Sequence, residues 1–261
     1  MYRRSVRVSL LVGAFTLSAC VSASPPSRIG DYVTKDDKIP PNAVIMMPEQ
    51  RPIQAGLLVI ADKADPGSAP GLPDEALVRF REELKEEFGQ GLPFMIAQVI
   101  QADGIAPNRS GGELTRFREL GKKYDVEHLA LVVVSSVEVE VPKQLDLGGA
   151  TQGTPGLQRD NYALAEFALV DLKAGQTLMQ AVGQGWATLL RPYVPGMSPR
   201  YPVVYIRPGD RQRVWPPTWE GSPDTLRVVS FNLAGKALIN RLNRVWLDYL
   251  ETGAAAGPAE K

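Results

Sequence analysis

The chain has 261 residues, with 29 basic and 29 acidic side chains, a single cysteine and a single histidine. This even balance offers no basic field for nucleic acid or for anionic lipid. One cysteine cannot form a disulfide within the chain, and one histidine excludes a histidine-rich zinc site. The fold must therefore rest on its apolar core, and the length suits one large domain or one domain with an insertion.

The first twenty residues have the layout of a secretory signal. Met1–Arg7 carries three arginines and no acid, Val8–Leu17 is almost wholly apolar, and the small residues Ser18 and Ala19 lead to Cys20. Such an apolar run is too short for a permanent transmembrane helix. The alternative is an ordinary secreted protein whose signal contains a cysteine by chance.

Leu17-Ser18-Ala19-Cys20 resembles the lipobox of bacterial lipoproteins. The resemblance implies that residues 1–19 are removed and that Cys20 is lipidated, with acyl chains such as palmitate. Similarity to enteric lipoproteins, together with Val21 in place of Asp, implies the inner leaflet of the outer membrane, facing the periplasm. Removal of the signal would leave 26 basic and 29 acidic residues, a net charge of −3.

Residues 20–42 are predicted to be the lipidated cysteine and a flexible tether. The stretch combines serines and prolines with charged residues and lacks helical or strand periodicity. A free chain of this length averages roughly 25 Å from end to end and can stretch to about 70 Å. We therefore expect the folded body to stand off the membrane.

Residues 43–252 are predicted to form one α/β domain of the α+β kind, with a mixed sheet. The run from Ala43 to Met47 is short and apolar, and the continuous apolar run from Gly56 to Ala61 predicts a strand buried on both faces. Apolar side chains at helical spacing from Leu77 to Phe88 predict a helix that follows Pro73. Phe94 to Ile100 reads as the next strand, and a second amphipathic helix, with a capping box of Ser110 and Glu113, follows it.

The second half of the domain is predicted to be an antiparallel meander closed by a helix. A long strand runs from Leu129 to Val141, a mobile loop occupies 148–156, and the sheet resumes from Tyr162 to Leu172. A turn at Gly175, a residue free to adopt positive φ, leads to a strand that ends near Leu189. The final helix is predicted from an N-cap at Ser222 to about Leu250, followed by a disordered tail at 253–261. Its predicted apolar stripe consists of Phe231, Ala234, Leu238, Leu242, Val245 and Tyr249.

Residues 191–221 form a proline-rich insertion that is predicted to be a long loop or lid. Aromatic residues and arginines alternate within it, a composition that is enriched in interface hot spots and suits cation–π stacking. The candidate binding residues are Tyr193, Tyr201, Tyr205, Arg207, Arg211, Arg213, Trp215 and Trp219. The alternative is that the segment folds back over the sheet and its tryptophans complete the core.

Two stretches carry a further family resemblance: Tyr124 to Leu131 (YDVEHLAL), where a helix end leads into a strand, and Val170 to Leu178 (VDLKAGQTL). With the order of elements and the lipobox, they resemble lipoproteins built on the TolB amino-terminal domain fold, including the curli secretion lipoprotein (CsgG) and the LpoB activators of penicillin-binding proteins. The similarity covers 56–189 and 222–250. The chain also looks like a lipoprotein family found beside rhombosortase sorting systems. The 191–221 insertion departs from the compact members.

The sequence contains few motifs that are typical of catalysis or of cofactor binding. His128 lies beside a predicted helix end, and there is no nucleophile elbow or phosphate-binding loop around it or elsewhere. Glu138 and Glu140 would share one face of a strand, either as paired acids or as a solvated face. We therefore expect no catalytic residue, no metal site and no cofactor.

Three function classes follow from these features. The preferred one is a non-enzymatic envelope lipoprotein that binds a periplasmic or outer-membrane protein for assembly or regulation, in an oligomeric state the sequence leaves open. The second is an oligomeric export component of the curli-secretion type, for which the region 141–162 has loop composition where an amphipathic hairpin would be needed. The third is an enzyme that acts on envelope glycan or peptide, based only on Glu138 and Glu140.

Overall fold

The structure is a computed structural model that describes residues 24–33, 41–47, 52–63, 67–101, 113–146, 153–206 and 212–255. A short 3-10 turn, Ile29–Asp31, precedes the sheet. The strands and helices follow in the order β1 (Ala43–Val44), β2 (Ile53–Ala61), α1 (Asp74–Phe88), β3 (Phe94–Ile100), α2 (Glu113–Tyr124), β4 (His128–Leu145), β5 (Thr154–Asp171), β6 (Gln176–Pro192), β7 (Val203–Tyr205), β8 (Arg213–Val214) and α3 (Ser222–Ala255). Within these ranges, no helix combines the length and the apolar composition that crossing a membrane requires.

The described strands form one mixed sheet in the order β3-β2-β4-β5-β6-β7-β8, with β1 paired to part of β6. β2 is parallel to both β3 and β4, and the remaining pairs are antiparallel. This confirms the predicted α+β class: strand, helix, strand and helix, then an antiparallel meander and a closing helix. Gly175 adopts the predicted positive φ, 73°, in the turn between β5 and β6.

Helices α1 and α3 cover one face of the sheet, here called the α3 face. Its core contains Phe80 and Phe88 from α1, Phe167 from β5, and Phe231 and Leu238 from α3. The predicted apolar stripe of the last helix is therefore confirmed as its buried face.

On the opposite face, here called the α2 face, the described residues that cover the sheet are α2 and residues 24–33, and they cover its inner half, the half that contains the first residues of β4. Ile29, Tyr32 and Val33 are buried there with Phe117 of α2 and Leu131 of β4. Residues 24–33 were predicted to belong to the flexible tether, and here the structure differs. Three apolar side chains lie close enough together in this stretch to pack against the sheet, although they show no regular periodicity.

The hairpin of β4 and β5 is longer than predicted. Each strand has 18 residues, and the pairing continues from His128 opposite Asp171 to Leu145 opposite Thr154. The strand predicted to begin at Tyr162 therefore begins at Thr154, within the stretch predicted to be a loop. Polar residues such as Gln158 and Arg159 interrupt the apolar pattern of this strand. Gln158 lies on the face that no described helix covers, and Arg159 contacts the carboxylates of Glu138 and Glu140 in place of an apolar core.

Residues 191–221 were predicted to be an irregular loop, and this is wrong in part. β6 continues to Pro192, and β7 and β8 add two short strands to its edge. Prolines flank these strands and do not interrupt them, as with Pro202 directly before β7, and short edge strands tolerate proline in such places.

Helix α3 begins one residue earlier than an N-cap at Ser222 would require. The Ser222 hydroxyl donates to the Trp219 carbonyl oxygen at 2.8 Å, and the Thr225 amide donates to the Gly221 carbonyl oxygen at 3.0 Å. Gly221 therefore precedes the helix, which continues to Ala255, into the predicted tail. The rest of that tail, 256–261, lies outside the described residues.

Candidate functional site

The predicted binding residues of the 191–221 segment do not form one cluster. Tyr193 and Trp215 are each 56% exposed, whereas Tyr201, Tyr205 and Trp219 are half-buried. Arg207 and Arg211, like Cys20, lie outside the described residues. Trp215 therefore does not complete the core, as the second alternative required, and binding by this segment stays a prediction.

Two arginine–aromatic pairs of this segment lie on different sides of the sheet. The Arg213 guanidinium lies 5.3 Å from the Tyr205 ring centroid, and Tyr205 is paired with Thr188 on the α2 face. The Arg191 guanidinium lies 5.3 Å from the Trp219 ring centroid, beside the start of α3. Both distances lie within the range of a cation–π interaction.

Glu138 and Glu140 share one face of β4, as predicted; it is the α3 face, and both side chains contact arginines. Glu138 accepts hydrogen bonds from Arg227 of α3 at 2.7 and 3.3 Å, and it lies 3.7 Å from Arg159. Glu140 accepts a hydrogen bond from Arg159 Nε at 2.8 Å. Arg227 also reaches Asp224 at 2.9 Å, so these carboxylates belong to a network that connects α3 to the hairpin.

The remaining catalytic candidate, His128, lies within the sheet. His128 is the first residue of β4 and is paired with Ala55 on one side and Asp171 on the other. Across the described ranges, no group of three or more His, Cys, Asp or Glu side chains is placed to hold a metal ion.

Glu166 is the most deeply buried acid that contacts residues 24–33, and it was missed at the sequence level. Its side chain is 1% exposed on the α2 face. It accepts hydrogen bonds from the Ser27 hydroxyl, from the Arg28 amide at 2.6 Å and from the Ile29 amide at 3.1 Å. Burial raises the pKa of Glu166 above its usual value, and these three donors partly oppose that shift.

A second buried carboxylate, Asp62, holds the same segment at the end of β2. Arg28 Nε donates to Asp62 Oδ2 at 3.1 Å, and the Tyr32 hydroxyl donates to the same oxygen at 3.0 Å. Burial, and then the neighbouring Asp62 charge, raise the pKa of Tyr32, so this phenol stays protonated and remains a donor. Residues 27–32 are thus fixed to the sheet by charge-assisted contacts at two separate points.

The outer half of the α2 face carries apolar and aromatic side chains that no described helix covers. Tyr162 and Trp186 are stacked, with ring centroids 5.4 Å apart and an interplanar angle of 16°. Val139 and Val141 share this face by register and are exposed. We call these four residues the outer patch. The alternation of valines after Val137 signalled it, but the partner strand and its register were not evident from the sequence.

A groove of about 690 Å³ borders the outer patch, where β6 meets α3. Tyr162, Trp186 and Gln184 line it from the α2 face of the sheet, and Leu233, Lys236, Ala237 and Asn240 of α3 line it from the other face. The groove therefore lies across the edge of β6, between its pairings with β1 and with β7. Ser24 and Pro25 close one end, and the Gln184 side-chain amide donates to the Ser24 hydroxyl oxygen at 3.4 Å. The first described residues of the chain therefore lie in this groove.

No family model matches this sequence. No curated protein matches it either. Among solved structures, a neuraminyllactose-binding hemagglutinin homolog from Helicobacter pylori matches at 8% identity and a TM-score of 0.40, over 78% of this chain and 89% of the other.

Two other solved structures show a likeness of the same kind. The PelC dodecamer from Paraburkholderia phytofirmans matches at 9% identity and a TM-score of 0.33, over 77% of this chain and 93% of the other. A protein assigned as a lipoprotein from Caulobacter crescentus CB15 matches at 10% identity and a TM-score of 0.25, over 78% and 93%. Likeness at this level carries no conclusion about what the chain binds.

Proposed function

We propose that this chain is a non-enzymatic lipoprotein of the bacterial cell envelope, attached to a membrane through Cys20, whose body binds a protein partner in the periplasm or outer membrane. The observation that carries the binding role is the exposure of Tyr193, directly after β6, and of Trp215, directly after β8, each 56%; we call these two the rim residues. Large aromatic side chains are depleted from ordinary surfaces and enriched where proteins meet.

The surroundings of the acidic residues favour binding over catalysis. Glu138 and Glu140 each contact an arginine, so neither is a free general acid or base. Arg213, which lies over the Tyr205 ring and precedes Trp215 by two residues in the chain, adds a cation to this part of the surface. Attachment to a membrane raises the effective concentration of any partner held there, so a modest affinity would be sufficient for assembly or regulation.

The test is crosslinking and affinity capture from intact envelopes. We expect wild type to recover a defined partner, and Cys20→Ala to lose both membrane attachment and capture. Tyr193→Ala with Trp215→Ala should lose capture while keeping the unfolding midpoint of the wild type, because both side chains lie outside the core.

Val78→Ala is the matched control, since Val78 is comparably exposed on α1, away from the rim. Equal capture by the rim variant and this control would contradict the binding role of the rim. An amino terminus without acyl groups, measured by mass analysis of the natural protein, would contradict the attachment.

One observation favours a second candidate, an oligomeric export component. The hairpin of β4 and β5 has 18 residues in each strand, so the extended hairpin that this role calls for is present. Its β5 strand, however, carries Gln158 and Asp160 on the α2 face and Arg159 on the other. A mass measurement in detergent separates the candidates, because export requires a ring of many subunits and the first proposal does not.

A further inference from the structure

The position of Ser24 limits where a lipid on Cys20 can lie. Ser27, Arg28 and Ile29 are held by the buried Glu166, and Pro25 is buried in the groove beside Ser24. Cys20 precedes Ser24 by four residues, and four residues span at most about 14 Å. A lipid attached to Cys20 therefore starts within about 14 Å of Ser24, whatever path the intervening chain takes.

The surface around Ser24 has the composition of a membrane interface. Trp186 and Tyr162 line the groove beside Ser24, and Trp186 is 37% exposed. Tryptophan and tyrosine favour the headgroup region, because an apolar ring and a polar group can both be satisfied there. Val139 and Val141 are also exposed on this face, where they alternate with Gln158 and Asp160 of β5, and the buried Asp160 carboxylate accepts a hydrogen bond from the Thr188 hydroxyl.

The short distance between Cys20 and Ser24 favours a lipid bilayer over a second protein as the surface that contacts the outer patch. The headgroup layer is roughly 5–7 Å thick on each side of a bilayer, which is about half the reach of the chain between Cys20 and Ser24. Acyl chains inserted from Cys20 would hold the groove against this layer. A second protein on the outer patch would have to fit between the groove and the lipid to which it is attached.

We propose that the outer patch, with Ser24 and Pro25, lies on the surface of the lipid bilayer, with Trp186 and Tyr162 at the depth of the headgroups. This inference rests on the proposed lipidation of Cys20. The sequence analysis expected a flexible tether to hold the folded body away from the membrane. In the arrangement proposed here, the hairpin face of the body lies against the membrane instead.

The test uses tryptophan fluorescence of the lipidated full-length protein in vesicles of zwitterionic phospholipid brominated on the acyl chain near the headgroup. Wild type should be quenched, because Trp186 contacts the brominated layer. Trp186→Phe should lose most of that quenching while keeping the ring stack on Tyr162. Trp219→Phe is the control: Trp219 lies against Arg191 on the other side of the sheet, and its replacement should leave the quenching unchanged.

Each other outcome overturns the inference. Quenching that is equal in wild type and Trp186→Phe, or absent from both, would mean that the outer patch faces away from lipid. Absent quenching with a dimeric mass in detergent would assign the patch to a second copy, and absent quenching in a monomer would fit an acyl chain folded into the groove. In each of these cases we expect mass analysis to find acyl groups on Cys20. If the acyl groups were absent, the proposed function would be contradicted as well.

Discussion

Glu166 shows how one buried acid can decide the position of a whole segment. Its carboxylate is enclosed by strands on both sides and receives three donors from residues 27–29. Without those donors an ionised carboxylate at this depth would be strongly unfavourable, because a buried charge needs hydrogen-bonded partners. The amino-terminal segment is therefore required by the residue beneath it, and the two form one unit.

This arrangement predicts a specific dependence of stability on pH. Burial raises the pKa of Glu166 above its ordinary 4.5. The folded state then binds its proton more tightly than the unfolded state, so the contribution of Glu166 to the free energy of unfolding is greatest below pH 4.5 and declines as the pH rises through the raised pKa. Glu166→Gln cannot ionise and should flatten this decline in urea unfolding measured between about pH 4 and 8.

Glu119→Gln is the control for that measurement. Glu119 is exposed on α2, so this substitution removes one carboxylate and leaves the buried site unchanged. We expect it to keep the wild-type decline. If Glu166→Gln and Glu119→Gln gave the same pH profile, Glu166 would not be the group responsible.

Helix α3 can pack closely against the sheet only because two positions of β6 are glycine and have no side chain. A Cβ atom on Gly183 would lie 2.3 Å from the Ala234 carbonyl oxygen, and one on Gly185 would lie 2.0 Å from the Ser230 carbonyl oxygen. Both obstacles are helix backbone, so no rotamer change can relieve the contact. The two glycines thus set the distance between the helix and the strand.

Gly185→Ala should therefore force α3 away from β6 and lower the free energy of unfolding by about 2–3 kcal/mol, measured by urea denaturation. Gly89→Ala is the comparison, since a Cβ there would lie 3.3 Å from its nearest neighbour and Gly89 has an ordinary helical φ of −71°. A similar small loss in both variants would mean that the sheet and helix are not in close contact.

Elements with a repeating apolar pattern could be predicted from the sequence, and elements defined by contacts could not. β3 and the buried stripe of α3 match their predictions because burial on one or both faces imposes a pattern on consecutive residues. The outer half of β5, with Gln158 and Arg159, is held by pairing with its neighbours and carries no such pattern. Glu166 and Trp186 became candidate site residues only through contacts with distant parts of the chain, at Ser27 and Tyr162.

At the scale of the whole molecule, the amino-terminal segment belongs to the folded body. Tyr32 is 1% exposed and lies in the same cluster as Leu58, Ile60 and Phe117, so the segment completes the cover that α2 leaves unfinished. A sheet buried on both faces needs two layers, and here the second layer combines one helix with an extended stretch. The described part of the folded body therefore begins at Ser24, four residues after Cys20, and the proposed contact with a bilayer depends on this short separation.

This assignment is tested by comparing two soluble chains without the lipid, one beginning at Ser24 and one at Pro41. The shorter chain leaves Glu166 without its three donors and uncovers Leu58 and Ile60, so its free energy of unfolding should fall by about 3 kcal/mol or more in urea denaturation. Adding Glu166→Gln to the shorter chain should recover part of this loss, because a neutral amide costs less to leave unpaired than a carboxylate. A flexible tether would instead give both chains the same unfolding midpoint, and the added substitution would then recover nothing.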